Sequence, residues 1–361
     1  MEHTMLQIDG NRYERKGLAS MAYRIIGSPT APGWERDFFS FILHWLDDND
    51  YIEQETSGTT GVKKLIRLPK KGMLYSAVQT CEFFKLGPMH RALLCLPVKY
   101  IAGKMMVVRA FYSGMNLIIT PPGGNPLEGH EEPFDFAAMV PMQVMNSLAT
   151  SPRLSTVKKL IIGGGEISPL LDHQLQDAET DVYATYGMTE TASHVALRKV
   201  NGTDRSPWFK VFKGIDISRD ERGCLVINAP YISEKPIITN DLTELKGKKQ
   251  FIWLGRIDNL INSGGIKFSP EHIEQQLGPL ILQPFVISSL PDAKLGEQIV
   301  LVIEGDKWEE THIRTLKEDM NRLLEPFSRP KKVLFIKHFP RTETNKINRN
   351  SLHGLLRGDE G

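Results

Sequence analysis

Cysteine, long apolar runs and an excess of charge of one sign are all scarce in this 361-residue chain. The three cysteines, Cys81, Cys95 and Cys224, are an odd number, lie far apart and have apolar neighbours. They argue against a disulfide framework or a cysteine metal site and predict reduced core residues of a cytoplasmic protein. No apolar run approaches the ~20 residues of a membrane span, and residues 1–17 lack the apolar segment of a signal peptide, so we expect neither.

The charge balance limits the partners. Lys and Arg number 44 against 43 Asp and Glu, which gives a net charge of +1, and the basic residues are spread along the chain. This pattern predicts no binding to nucleic acid or to a membrane surface. It leaves the oligomeric state open, so a homodimer remains an alternative to a monomer.

Length and periodicity predict more than one domain. With 361 residues, 41% of them hydrophobic and 24% charged, the chain is typical of a globular protein too long for one ordinary core. Alternating helical and strand-like runs favour an α/β fold, and residues 205–255 favour strands. A compact α+β pattern follows, so we place a boundary at residue 258. We predict a large N-terminal domain of mixed β-sheets with packed helices, 1–257, and a small α+β C-terminal domain, 258–361.

The stretch QETSGTTGVKK, residues 54–64, has the composition of a phosphate-binding loop. It is not a Walker loop, because Gly58 and Gly61 are too close together and the residues after it alternate as in a strand. Glycines let backbone N–H groups face an anion, and Ser57, Thr59 and Thr60 add hydroxyl donors. A polar turn between two strands, without a ligand, is the alternative.

Further stretches bear candidate functional groups. IIGGGE, residues 161–166, predicts a strand that runs into bare backbone, against which adenine can lie, or a simple tight turn. In TYGMTETASH, residues 185–194, Tyr186 is a candidate to cover a base, Thr189 to bind a phosphate and Glu190 to bind Mg²⁺. Lys346, in the polar stretch at 340–349, reads locally as a solvated surface residue.

Taken in order, the motifs resemble the adenylate-forming superfamily of acyl- and aryl-CoA ligases, luciferases and peptide-synthetase adenylation domains. They are SGTTGVKK at 57–64, YGMTE at 186–190, the aspartate of TNDL, GRID at 255–258 and PRTETNKINR at 340–349. Each is weak alone, but together they span nearly the whole chain. The resemblance implies that ATP and CoA are substrates, that Mg²⁺ is a cofactor, and that a small-molecule carboxylate is activated.

The resemblance also implies which residues bind the nucleotide. The phosphates would contact the opening loop, at Ser57, Gly58, Thr59, Thr60, Gly61 and Lys64. The adenine would be enclosed by Gly163, Gly164, Gly165, Glu166, Tyr186 and Gly187. Asp241 would bind the ribose hydroxyls, with Arg256 nearby, while Thr189 would contact the α-phosphate and Glu190 the Mg²⁺.

The remaining implied roles concern the C-terminal domain. Asp258 matches the hinge about which this small, mobile domain turns, and Gly265 would border the tunnel for the CoA pantetheine arm. Lys346 would be the catalytic lysine that bridges the carboxylate and the α-phosphate during adenylation. Lys63 in place of proline and Asn345 in place of glycine depart from the superfamily pattern without removing a functional group. Tyr100 stands where many relatives carry histidine, which argues against an aromatic gating role at that position.

Within the superfamily, the chain is most similar to the o-succinylbenzoate–CoA ligases of menaquinone biosynthesis, in a short form. The similarity rests on YGMTETASHVALR, GKMMVVRAFYSG and VPMQV. It implies that Arg109, Ser193 and His194 bind the second carboxylate of the substrate. The alternatives are a packed helix-face arginine and a pocket-wall histidine without a ligand. A ligase for another carboxylate, an enzyme that loads a carrier protein, and a non-catalytic acyl or nucleotide sensor are the competing functions.

Overall fold

The computed structural model describes residues 5–55, 64–149, 153–342 and 347–358. Its helices, in chain order, are α1 Arg15–Ile26, α2 Gly33–Leu46, α3 Lys70–Phe84, α4 Ile101–Ser113, α5 Pro141–Ala149, α6 Pro169–Gln174, α7 Pro270–Leu277, α8 Glu310–Leu323 and α9 Arg349–Arg357.

The strands of the first part of the chain are β1 Leu6–Ile8, β2 Asn11–Tyr13, β3 Tyr51–Glu55, β4 Leu65–Pro69, β5 Arg91–Leu94, β6 Asn116–Ile119, β7 Phe134–Met139, β8 Val157–Ile162, β9 Asp181–Gly187, β10 His194–Lys199, β11 Phe209–Val211, β12 Asp216–Arg219, β13 Cys224–Asn228, β14 Ile237–Lys246 and β15 Gln250–Arg256. The strands that follow are β16 Ile261–Ser263, β17 Ile266–Phe268, β18 Phe285–Asp292, β19 Gly296–Glu304 and β20 Lys332–Ile336.

One long sheet organises the chain up to Arg256. Its order is β12-β13-β14-β15-β11-β10-β9-β8-β7-β5-β6-β1-β2. The strands from β9 through β6 to β1 pair in parallel, and those from β10 to β12 pair antiparallel. Most of β7 and the second half of β8, Leu160–Ile162, are apolar and buried, as expected of parallel strands covered on both faces. Because parallel strands share one carboxyl edge, the segments that follow β7, β8 and β9 lie side by side.

The helices that cover this sheet follow their apolar periodicity. α2 buries Phe38, Ile42 and Trp45 on one face, as the sequence predicts. α4 is buried along most of its length because it lies inside the main core. Its Gly103 packs so closely that a Cβ would stand 2.5 Å from the Pro97 carbonyl oxygen.

A second sheet, formed by β17-β16-β19-β18 with β20 beside β19, organises the chain after residue 260. Successive side chains of β19 point to opposite faces of this sheet and so join two hydrophobic clusters. Ile299 and Leu301 pack with α7 and α8, whereas Val300 and Val302 pack with α9. Separate sheets and separate clusters thus lie on either side of Asp258. The α/β fold with a large mixed sheet is confirmed, while the division into a nucleotide-binding domain and a mobile domain stays a prediction.

Two further features bear on the sequence-based expectations. Cys81, Cys95 and Cys224 are buried, unpaired thiols, as predicted. In the described ranges, no helix combines the length and the apolar character that crossing a bilayer requires.

Candidate functional site

The carboxyl edge of the parallel strands carries the glycine-rich segment at 163–165. A Cβ on Gly163 would lie 2.4 Å from Thr185 Oγ1, and one on Gly187 would lie 2.3 Å from the Ser193 carbonyl oxygen. Neither position accepts a side chain, so the backbone itself forms the surface at the ends of β8 and β9. Gly164, the next residue after Gly163, has a φ of +76°, which also favours glycine.

Glu166 stands at the rim of this edge. Its side chain is solvent-exposed, and Gln275 on α7 donates a hydrogen bond to its Oε1 at 3.4 Å. The surrounding protein, and then the Glu274 carboxylate, raise the pKa of Glu166. Water limits this effect because the carboxyl group remains open to solvent.

Asp241 lies at the centre of a hydrogen-bonded cluster beside the same edge. The Tyr186 hydroxyl donates to its Oδ2 at 2.6 Å, and the Trp253 indole Nε1–H donates to its Oδ1 at 3.1 Å. The Asp241 carboxylate is nearly buried, and the Arg256 guanidinium lies 3.8 Å from Oδ1. Burial, and then the Asp241 charge, raise the pKa of Tyr186 well above its ordinary value, so this hydroxyl remains a donor.

The cluster continues into the predicted hinge. Arg256 donates to Asp258 Oδ2 at 2.7 Å, and the Asn240 amide donates to both Asp258 oxygens at 3.1 Å. Burial raises the pKa of Asp258, but the hydrogen bonds from Arg256 and Asn240, together with the Arg256 charge, outweigh it and lower that pKa. The structure therefore brings together Tyr186, Asp241 and the Arg256–Asp258 pair, which come from three separate segments of the sequence.

Arg109 forms a second cluster, inside the protein, with the other two predicted substrate residues. One of its guanidinium nitrogens donates to Ser193 Oγ at 2.8 Å and lies 3.4 Å from His194 Nδ1. The other terminal nitrogen contacts Met106 Sδ at 3.6 Å. His194 Nε2 lies 3.1 Å from the Thr80 hydroxyl, which fixes the imidazole between α3 and Arg109.

The charge on Arg109 is not compensated within the described part of the chain. Arg109 is only 2% exposed, no Asp or Glu there forms an ion pair with it, and its Nε has no hydrogen-bond partner. Burial lowers the pKa of Arg109 to about 10, and burial followed by the Arg109 charge lowers the pKa of His194 well below its ordinary value. A buried cation without a counter-charge is costly, and an anionic ligand would compensate it.

Thr189 and Glu190 lie in a short 3-10 turn, Thr189–Thr191, that connects the two clusters along the chain. The Thr191 hydroxyl accepts from the Met188 N–H at 2.9 Å and donates to the Ser193 carbonyl oxygen at 2.6 Å, which fixes the turn. Glu190 is solvent-exposed, and it makes no hydrogen bond or ion pair with the residues that the structure describes. Its carboxylate is therefore available to a ligand.

The opening loop is only partly described. Its flanks, β3 and β4, pair antiparallel from Tyr51 with Pro69 to Glu55 with Leu65, so the predicted position between two strands is confirmed. Lys64 is exposed immediately before β4. The other predicted phosphate ligands of this loop, Ser57, Gly58, Thr59, Thr60 and Gly61, lie outside the described residues, as does the predicted catalytic Lys346.

Gly265 lies in the tight turn between β16 and β17. Gly264 and Gly265 have φ angles of +62° and +83°, as two-residue hairpin turns of this handedness require. A backbone turn without side chains is exposed there. Its role beside a pantetheine arm stays a prediction.

Sequence reasoning missed Trp253 and Thr80, which complete the two clusters. A tryptophan in a strand is ordinarily a packing residue, and a threonine within a helix carries no functional signal. Only the contacts with Asp241 and His194 distinguish them. The one sequence signal near Trp253 is the GRID motif, because Trp253 lies three residues before its Arg256.

The chain is similar to proteins of known family. Residues 51–211 match the family described as AMP-binding enzyme. The crystal structure of an acyl-CoA synthetase (AMP-forming)/AMP-acid ligase II-like protein from Dyadobacter fermentans is 36% identical, with a TM-score of 0.61, over 92% of this chain and 97% of that one.

Two curated relatives carry names that specify a reaction. The 2-succinylbenzoate–CoA ligase of Salmonella typhimurium is 28% identical over 293 residues, which cover 76% of this chain and 62% of that protein. The indoleacetate–CoA ligase of Aromatoleum aromaticum is 24% identical over 83% of this chain and 66% of that protein. The chain thus spans about 62% of the length of the Salmonella relative.

Proposed function

This chain belongs to the AMP-binding enzyme family, and on that premise we propose that it is an ATP-dependent acid–thiol ligase. The proposed reaction converts o-succinylbenzoate, ATP and CoA into o-succinylbenzoyl-CoA, AMP and pyrophosphate, as a step of menaquinone biosynthesis. The name of the Salmonella relative supports the choice of acid.

The observation that carries the substrate assignment is the buried guanidinium of Arg109, which no acidic side chain compensates in the part of the chain that the structure describes. o-Succinylbenzoate has two carboxylates: one is activated and the other remains as a fixed charge on the ring. A planar guanidinium suits a carboxylate, and Ser193 beside it adds a hydroxyl. The Nε of Arg109, which has no hydrogen-bond partner among the described residues, leaves donor capacity for such a ligand.

Two steps follow from the chemistry of the acid. An oxygen of the reacting carboxylate attacks the α-phosphorus of ATP, and the bond to pyrophosphate breaks, which leaves an acyl-adenylate. The sulfur of the CoA thiolate then attacks the acyl carbon, and AMP departs with the electron pair of the C–O bond. Charge gathers on phosphoryl oxygens in the first step, so the lysine at 346 and the hydroxyls of the opening loop would stabilise it.

The nucleotide would be held at the carboxyl edge of the sheet. Bare backbone at 163–165 would lie against the adenine, and Asp241 would accept hydrogen bonds from the ribose hydroxyls. Thr189 would donate to the α-phosphate. The C-terminal part would turn about Asp258 between the two steps, so that Lys346 is present in the first and absent from the second.

Glu190 fits a magnesium site of the kind that nucleotide enzymes use. The described residues include no group of three acidic, histidine or cysteine side chains that could hold a metal alone. Mg²⁺ bound to a nucleotide needs only one or two carboxylates, and Glu190 is exposed without a partner in that same part of the chain. When bound there, the ion would neutralise phosphate charge.

A ligase for an aromatic monocarboxylate is the second candidate, because the Aromatoleum relative is named for indoleacetate. ATP–pyrophosphate exchange across a panel of acids, followed by thioester formation with CoA, separates the candidates. We expect exchange with o-succinylbenzoate to exceed that with indoleacetate, anthranilate and benzoate by at least about tenfold. If exchange with any monocarboxylate exceeds about one tenth of the exchange with o-succinylbenzoate, the substrate assignment is rejected. If no acid supports exchange, a non-catalytic nucleotide sensor is favoured.

A further inference from the structure

Resting on the proposed function, we infer that Trp253 is a positioning residue for ribose recognition: its indole N–H orients the Asp241 carboxylate toward the nucleotide. The indole Nε1 lies 3.1 Å from Asp241 Oδ1. Tyr186 donates to the other oxygen at 2.6 Å, so each carboxylate oxygen has a fixed donor. The Asp241 backbone N–H is itself anchored, because it donates to Thr239 Oγ1 at 3.1 Å.

A β-bulge brings Trp253 to Asp241. In the ladder between β14 and β15, Asp241 is opposite Arg256 and Leu242 is opposite Gly255, but Thr243 is opposite Trp253. Leu254 is therefore an extra residue in β15. In an unbroken ladder Trp253 would be opposite Glu244 and would face away from Asp241, because successive residues alternate between the two faces of a sheet.

The backbone next to this bulge is specialised as well. Gly255 has a φ of +126°, and a Cβ there would lie 2.3 Å from Ser269 Oγ. Bulges re-aim side chains beside functional sites. Here the re-aimed side chain is the indole that contacts the predicted ribose ligand.

The arrangement suits a diol. An ionised carboxylate has about four acceptor positions, and Tyr186 and Trp253 occupy two of them. The remaining two can accept from two adjacent ribose hydroxyls, provided that the carboxylate plane does not rotate. Removal of the indole N–H frees that rotation and weakens the contact to the hydroxyls, while contacts to base and phosphates persist.

The test compares ATP with 2′-deoxy-ATP and 3′-deoxy-ATP as substrates in the exchange assay. In Trp253→Phe, which keeps an aromatic ring and loses the donor, we expect the preference for ATP over each deoxynucleotide in kcat/KM to shrink by roughly tenfold. Trp208→Phe is the matched control. Among the described residues, Trp208 packs near Lys246 and makes no contact with Asp241. The Trp208→Phe variant should therefore prefer ATP over the deoxynucleotides as strongly as the wild type does.

Thermal stabilisation by each nucleotide provides a second readout that does not need turnover. If Trp253→Phe folds and keeps the full preference for ATP, Trp253 is only a packing residue and the inference is wrong. If Trp253→Phe does not fold, the same comparison is made with Trp253→Leu. A reduced preference for ATP then supports the inference, and a full preference rejects it. A wild type that binds ATP with ribose preference but exchanges with no acid would reject the proposed function alone, whereas a wild type that ATP does not stabilise would reject both.

Discussion

Arg349, at the start of α9, forms a bidentate ion pair with Glu274 on α7. Its two terminal nitrogens lie 2.9 and 2.6 Å from Glu274 Oε1 and Oε2, and its Nε lies 3.7 Å from Glu271 Oε1. Burial lowers the pKa of Arg349, but the Glu274 and Glu271 charges outweigh it and raise that pKa. The pair connects two helices of the C-terminal part. Arg349 lies three residues after the predicted catalytic Lys346.

Removal of one partner of this pair should destabilise the C-terminal part. Arg349→Met leaves two glutamates uncompensated, and we expect a loss of about 3 kcal/mol, the lower end for buried pairs, because the Arg349 side chain is 26% exposed. The double variant Arg349→Met/Glu274→Gln should recover part of the loss, since Gln still accepts from the Ile287 N–H. Denaturant unfolding measures both. The control Arg322→Met, in an exposed pair, should change stability little.

Arg109→Leu should separate binding from stability. We expect the KM for o-succinylbenzoate to rise by a factor that corresponds to a lost binding free energy on the order of 2–4 kcal/mol. The KM for ATP should be nearly unchanged. Because the variant removes a buried charge that lacks a counter-charge among the described residues, the unliganded protein should be no less stable, and Tm should stay level or rise. A large fall in Tm, or parallel changes in both KM values, would make Arg109 a structural residue.

His194 should make stability depend on pH. Its folded-state pKa lies well below the ordinary 6.5, so the unfolded chain binds a proton near that pH that the folded protein does not. The stabilisation from neutral His194 is therefore complete above pH ~7 and is lost as pH falls below ~6.5 toward the lowered pKa. Tm measured from pH 8 to 5 should fall less steeply in His194→Gln than in the wild type; equal slopes would contradict the assignment.

Lys346→Ala should separate the two half-reactions. Acyl-adenylate formation should fall by several orders of magnitude, because a charge that acts on the transition state is removed. Thioester formation from synthetic acyl-adenylate and CoA should stay within about tenfold of the wild type, or about 1.4 kcal/mol. Rapid-quench measurement of each half-reaction tests this. An equal loss in both would argue against a C-terminal part that moves between the steps.

Local interactions explain what the sequence by itself determined. The apolar spacing of α2, the strands that flank the opening loop and the helices and strands of the C-terminal part follow from periodicity, which depends on residues a few positions apart. The family resemblance likewise rested on short motifs. The N-terminal hairpin was missed although Asp9 and Gly10, with φ angles of +48° and +84°, carry a known turn signal, because β1 and β2 are only three residues long.

Only the tertiary structure decided which groups meet. Trp253 faces Asp241 because one extra residue in β15 shifts the ladder, and no periodicity in the sequence marks that shift. Arg109 lies beside Ser193 and His194, 84 and 85 positions along the chain, because its side chain extends from α4 to the start of β10. That no described acidic residue compensates the Arg109 charge is likewise a property of the packed core. A side chain's charge is local to the sequence, whereas its burial and its partners depend on the whole fold.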